Sequence, residues 1–147
     1  MRQAYHVADD DVIPALLERC RRDHRSWING DGSPYALPDD GSIMGAVGGW
    51  SLGGVATSER QAAVASRWLS GSGDIEFVNG AVSSDVAWLV FIERARVVFD
   101  ADVGEQRWDL RVTEVFRRVD RQWERVHRHA DPLVDRRSPT EAATLLT

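Results

Sequence analysis

RWDLRVTEVFRRVDRQWERVHRHAD, residues 107–131, alternates in side-chain character over two runs separated by Asp120 and Arg121. Successive side chains on a strand point to opposite faces, so this alternation predicts two antiparallel strands joined by a tight turn. With Asp120 and Arg121 as the loop, Val119 opposes Gln122 and the register follows. Arg118 faces Trp123, Phe116 faces Arg125, Glu114 faces His127 and Val112 faces His129. These residues share one face with Trp108, Leu110 and Asp131. The other face carries Asp109, Arg111, Thr113, Val115, Arg117, Glu124, Val126 and Arg128. The first face is apolar with a few titratable groups set among the apolar ones, the composition of a pocket wall more than of a plain core.

Outward from this hairpin, residues 86–99 read as a long strand, apolar at first and then charged at Glu93, Arg94 and Arg96. Residues 74–81 alternate through Ile75, Phe77 and Asn79 and read as another. Near the start, Asp9, Asp10 and Asp11 precede Val12, Ile13, Leu16, Leu17, Cys20, His24, Trp27 and Ile28, which is helical spacing with one apolar stripe. The acids complement the positive helix end, Pro14 falls in the first turn, and Asn29-Gly30 stops the helix. Residues 30–54 are rich in Gly, Pro and Asp, with a helical turn expected near 34–37 and a short strand near 42–44. GAVGGWSLGG, residues 45–54, fits neither the dinucleotide nor the phosphate-loop spacing and reads as turn and bulge. Ser58 and Gln61 form a capping box for a second helix over roughly 59–69. Two helices packed on one face of a four-stranded antiparallel meander make an α+β domain. A sheet bent over a long helix encloses a cone-shaped cavity. The domain is expected to span 1–134, with a tail over 135–147 that carries a short helix from Thr140.

The totals bound the function. With 147 residues the chain can bury one real core. The net charge of −5 gives no general attraction to nucleic acid or acidic lipid. All 18 basic residues are arginine, which excludes a Schiff-base lysine. Cys20, the one cysteine, excludes an intrachain disulfide and a multi-cysteine metal site. No apolar run is long enough to span a membrane, and the acidic start MRQAYHVADDD lacks the apolar segment of a signal peptide, so a cytoplasmic location is expected.

The helix–helix–sheet order, with RVTEVFRR at 111–118, a tight turn and WERVHRHADP at 123–132, resembles the nuclear transport factor 2-like superfamily. It is most similar to the SnoaL-like, ketosteroid isomerase-related branch, which also includes the calcium/calmodulin-dependent kinase II association domain. The likeness covers roughly residues 8–134, and SPY at 33–35 and IERAR at 92–96 belong to it. One departure is visible: the usual Asp-Gly of the last hairpin is Asp120-Arg121. The resemblance implies a cystatin-like cone and a homodimer through the outer face of the sheet. It also implies a small apolar or weakly acidic organic ligand in the cone, with no cofactor. Members of this fold differ widely in chemistry, so the substrate is not implied.

The candidate site follows from the register. His127 and His129 are two apart on one strand, about 6.5–7 Å along it, and are expected to look into the cone as general acid/base or hydrogen-bond donors. Glu114, across from His127, would orient that ring, or the pair is structural. Asp131 at the cavity mouth would be a carboxylate base, or would bond a loop amide. His127, His129 and Asp131 are also metal-ligand types, but H-x-H is common, no fourth ligand is in view and no metal is assigned. Glu93 and Arg94 lie on opposite faces of their strand, and either could orient a ligand. Trp27, Tyr35, Trp50 and Trp108 are the large groups that could line the cavity, with Tyr35 and Trp50 on loops that could act as lids. No GxSxG motif and no cysteine with a placed histidine supports triad hydrolysis. Two functions stand open: a small-molecule-binding protein with cofactor-independent isomerase or cyclase chemistry, and a non-catalytic dimeric association or ligand-sensing module.

Overall fold

The computed structural model describes residues 11–146. Helix α1 runs Val12–Trp27 and buries Leu16, Leu17, Cys20, Asp23, His24 and Trp27 on one stripe. Of the three aspartates expected at its start, Asp9 and Asp10 lie outside the described residues, as does most of the acidic opening segment. Asp11 is the N-cap but makes no side-chain capping bond. A 3₁₀ turn, Ser33–Tyr35, follows. Strands β1 (Ser42–Met44) and β2 (Trp50–Leu52) form a small hairpin that extends the sheet. The short β2 was not expected from the sequence.

Helix α2 is Gly54–Ala65, five residues earlier than the expected 59–69. Gly53, at φ +93°, turns the chain into it, so Ser58 lies inside the helix and the expected capping box does not form. Thr57 instead donates its hydroxyl to the Gly53 carbonyl. Strand β3 (Ser70–Ser83) is longer than the expected 74–81, while β4 (Val86–Val98) matches the expected 86–99 to within one residue. A two-residue β5 (Gln106–Arg107) pairs with β4. Strands β6 (Leu110–Val119) and β7 (Gln122–Pro132) are the hairpin of the deciding stretch. Helix α3 (Pro139–Ala143) lies in the expected tail, closed by a Ser138–Glu141 capping box, and buries no side chain.

The sheet order is β2-β1-β7-β6-β4-β3, antiparallel throughout except where β1 runs parallel to β7. The sheet is curved and unclosed, and the helices cover one face. Leu16, Leu17 and Cys20 of α1 pack there against Leu89, Phe91, Val112 and Phe116. A second cluster joins Trp27, Tyr35, Trp68, Ala95 and Val97 at the wide end. Close approach requires a glycine at 73, where a Cβ would collide with the Arg94 carbonyl oxygen and lie 3.1 Å from the His24 ring.

The turn between β6 and β7 has the expected two residues. Asp120 (φ 49°) and Arg121 (φ 65°) both occupy the left-handed region, as a type I′ turn requires. A side chain there costs free energy that glycine avoids. Arg121→Gly is expected to stabilise the protein by about 1 kcal/mol, read as a rise of about 3 °C in thermal midpoint.

Candidate functional site

The first pairings of the hairpin follow the expected register: Val119 with Gln122, Arg118 with Trp123 and Phe116 with Arg125. Then β7 bulges. Val115 pairs with His127 and not with Val126, Glu114 with Arg128, and Thr113 with His129. One extra residue in a strand exchanges its faces beyond that point. The expectation that His127, His129 and Asp131 look into the cone is therefore corrected. They lie on the outer face, and Arg128 and Ala130 take the inner one. His127 accepts or donates a 2.8 Å hydrogen bond with the Ser42 hydroxyl. His129 Nε2 lies 4.0 Å from Asp131, whose carboxylate is held by Arg111 at 2.8 and 2.9 Å. Burial and the neighbouring His129 lower the pKa of His127.

Glu114 keeps its inward placement, with a different partner. It bridges two arginines at the centre of the cone. Arg125 Nε donates to its Oε2 and Arg128 Nη1 to its Oε1, each at 2.8 Å. Arg125 also reaches Asp23 at 2.9 Å and the Pro34 carbonyl at 3.0 Å. Arg128 donates to Glu93 Oε2 at 3.0 Å. The Tyr35 ring lies 4.7 Å from the Arg125 guanidinium carbon and 4.9 Å from that of Arg128. Glu93 is thus inward and Arg94 outward, where Arg94 pairs with Glu76 at 3.1 Å, so Arg94 does not orient a ligand in the cone. Tyr35 is buried among the arginines and is no lid. Trp50, 71% exposed, stands on the outer side of β2 away from the interior.

Two arginines face three carboxylates (Asp23, Glu93, Glu114), and Arg19, 3.6 Å from Asp23, brings the sum to zero. Buried ions persist only when paired in this way. Burial alone would favour a neutral Glu114, but Arg125 and Arg128 outweigh it and hold the carboxyl below its ordinary range. Burial, reinforced by Glu114, pushes the Cys20 thiol far up, so it is no nucleophile. Asp23, His24, Arg125 and Arg128 are interior groups that the reading of the sequence did not assign to the site. A signal existed for the first two, since Asp23 and His24 fall within the apolar stripe of α1. A signal for the bulge existed too: strict alternation would turn Ala130 out and three polar groups in.

A small unfilled space lies toward the wide end, between the helices, the β1–β2 hairpin and the sheet. It measures about 30 Å³ and is lined by Trp27, Ile43, Val47, Gln61, Val64, Trp108, Leu110 and Arg128, among others. Trp27 and Trp108 are therefore where the sequence expected large lining groups. The indole N–H groups of Trp27, Trp68 and Trp108 are buried without a hydrogen-bond partner among the described residues. These indoles pack edge to face, with ring centroids 5.0 and 5.3 Å apart. Among the described residues no group of three His, Cys, Asp or Glu side chains is placed to hold a metal, and no helix is long and apolar enough to cross a membrane.

His24 is fully buried, and neither ring nitrogen has a hydrogen-bond partner among the described residues; Nε2 lies 3.8 Å from Glu93. Burial lowers its pKa, with Glu93 opposing. The unfolded imidazole takes up a proton near its ordinary 6.5, the folded one only at lower pH. Between those values the unfolded chain binds more protons, so stability falls as pH falls. Thermal unfolding between pH 7 and 5 is expected to show this slope, and His24→Phe to reduce it. His127, shifted in the same direction, contributes to the residual slope in that variant. An undiminished slope in His24→Phe would count against the assignment. Glu114 extends the loss further: its unfolded carboxyl protonates near 4.5 while the folded one resists.

No protein-family model matches the sequence, and no curated protein matches it. Solved structures do. A candidate dehydratase of the nuclear transport factor 2-like family from Streptomyces avermitilis superposes with TM-score 0.72 at 16% identity, covering 86% of this chain and 99% of that one. A candidate calcium/calmodulin-dependent protein kinase II association domain from Xanthomonas campestris gives 0.69 at 15% identity, covering 90% and 95%. A nuclear transport factor 2-like superfamily protein from Salmonella enterica serovar Typhimurium gives 0.69 at 16% identity, covering 86% and 94%. At such identities the likeness is one of architecture. The chain has the nuclear transport factor 2-like fold, the cystatin-like α+β architecture in which a curved sheet wraps over N-terminal helices.

Proposed function

We propose that this protein binds a small organic molecule at the wide end of the cone and that binding, without proton transfer by the cone interior, is its function. The observation that carries this reading is the largely apolar cavity bordered by Trp27 and Trp108, whose buried indole N–H groups lack an acceptor among the described residues. An unsatisfied buried donor costs roughly 1–3 kcal/mol, and a ligand acceptor would recover part of that. Isomerase or cyclase chemistry draws less support. Glu114, the acid expected to act with His127, is held by two arginines, while His127, His129 and Asp131 face away from the cavity.

Titration with a set of small aromatic and alkyl compounds, followed through the indole N–H resonances, tests the reading. Val64→Phe narrows the cavity from the half-buried face of α2 and is expected to weaken binding about tenfold or more while leaving the thermal midpoint within a few degrees. An equal response in that variant would count against the cavity as the site.

A second reading, self-association through the outer sheet face, is favoured by what that face presents. Trp88 pairs with Val115 and Val115 with His127 in one row across the strands. Val90, Thr113, His129, Met44 and Trp50 form the next row. Trp88 is 37% exposed and Met44 46%, with Val86 and Val78 also exposed. The adjoining Arg111–Asp131 pair supplies both charge signs to one patch, as a two-fold contact between identical copies needs. The association-domain description of the Xanthomonas neighbour points the same way. Sedimentation is expected to find a dimer that Trp88→Glu converts to a folded monomer; a monomeric parent would end this second reading.

A further inference from the structure

The cavity beside Trp27 and Trp108 does not end at its own walls. A groove of about 350 Å³ adjoins it and shares Val47, Val64 and Trp108 with it. Ala63, Trp68 and Phe99 complete the groove's apolar lining, and Arg67 also borders it. The inner space, about 30 Å³, has room for one or two water-sized groups. A small polar head therefore fits inside, and an apolar body of ordinary ligand size fits the groove.

The charged inventory of the inner space is one-sided. Trp27 and Trp108 border that space, and their indole N–H groups, which donate and cannot accept, are buried without partners among the described residues. Trp27 is 95% buried by its 5% exposure. Arg60 and Arg128 bring guanidinium groups, and Gln61 an amide. Among the described residues no aspartate or glutamate lines either the cavity or the groove. The two arginines differ in a way that matters. Arg128 is neutralised by Glu93 and Glu114. Arg60 donates only to the Gly48 carbonyl and the Ser51 hydroxyl and meets no carboxylate among the described residues. The edge-to-face indoles give one another weak N–H···π contacts at best, which do not replace an acceptor oxygen.

From this juxtaposition we infer that the ligand is a monocarboxylate with an apolar body. Its carboxylate occupies the inner space, takes hydrogen bonds from the Trp27 and Trp108 indoles and offsets the charge of Arg60. Its body lies along Val47, Val64, Trp68 and Phe99. The inference rests on the cavity being a binding site, and it adds the charge and shape of what binds.

Octanoate, octylamine and octanol share one chain and differ in the head group, and each is titrated into the full-length protein with the indole N–H resonances as readout. Octanoate is expected to shift the indole resonances saturably. Octylamine is expected to leave them unmoved, and octanol to bind about tenfold more weakly or less. Arg60→Gln and Trp108→Phe, each checked for a folded spectrum, are expected to weaken octanoate about tenfold and to leave octanol unchanged. Trp108→Phe retains the ring and removes the donor, so it holds the test if Arg60→Gln fails to fold. Octanol binding as tightly as octanoate, or octanoate binding unaffected in both variants, would overturn the carboxylate assignment and leave the cavity as a binding site. Octanoate shifting only the outer-face His127 and His129 would overturn it as well. Indoles unmoved by all three probes would sink both this inference and the binding reading under it.

Discussion

Glu114 has each carboxylate oxygen on a different arginine, and the interior of this protein is arranged about that bridge. Arg125 ties it to Asp23 of α1 and to the loop carbonyl of Pro34; Arg128 ties it to Glu93 of β4. Five parts of the chain are joined at one point: the first helix, the 3₁₀ turn, and strands β4, β6 and β7. Removal of one partner from such a network leaves an uncompensated buried charge, a penalty of several kcal/mol. The network therefore specifies how α1 sits on the sheet more strongly than the apolar contacts around it do, since those tolerate small shifts.

The same network explains why the cone carries so little open space. A general base needs a pKa near the working pH and a free lone pair aimed at substrate. Glu114 has neither, since both of its oxygens are engaged and its pKa is lowered. The space that remains lies where the network gives way to tryptophans, at the wide end under the β1–β2 hairpin. There the polar side chains are two indoles, two arginines and the Gln61 amide, with no carboxylate among them, a setting suited to holding an anionic acceptor more than to moving a proton.

Much of the architecture was legible from one chain. The alternation of residues 107–131, the two-residue turn and the stripe of α1 each rest on a local rule, and local rules survive into the folded state. The face of β6 followed the same way, from Leu110, Val112, Glu114 and Phe116. What failed was the far half of β7. A single unpaired residue at Val126 transfers His127, His129 and Asp131 to the outer face and brings in Arg128. No local property of WERVHRHAD announces it; the nearest hint is that Ala130 is the apolar residue that strict alternation would expose. The start of α2 failed for a related reason, because a glycine at positive φ began the helix ahead of the apparent capping box.

By itself, then, the sequence determined the class of fold, the β6–β7 hairpin with its two-residue turn, and the pool of tryptophans, arginines and acids from which a site could be made. Periodicity and turn chemistry depend on neighbours in the chain, and those are visible in a string of letters. Which members of that pool meet was decided only in three dimensions. The interior had to balance Glu93, Glu114 and Asp23 with cations, and a bulge that turned Arg128 inward met that requirement at the expense of simple alternation. Charge balance inside a low-dielectric core is a sum over distant segments, and no stretch of the chain carries that sum alone.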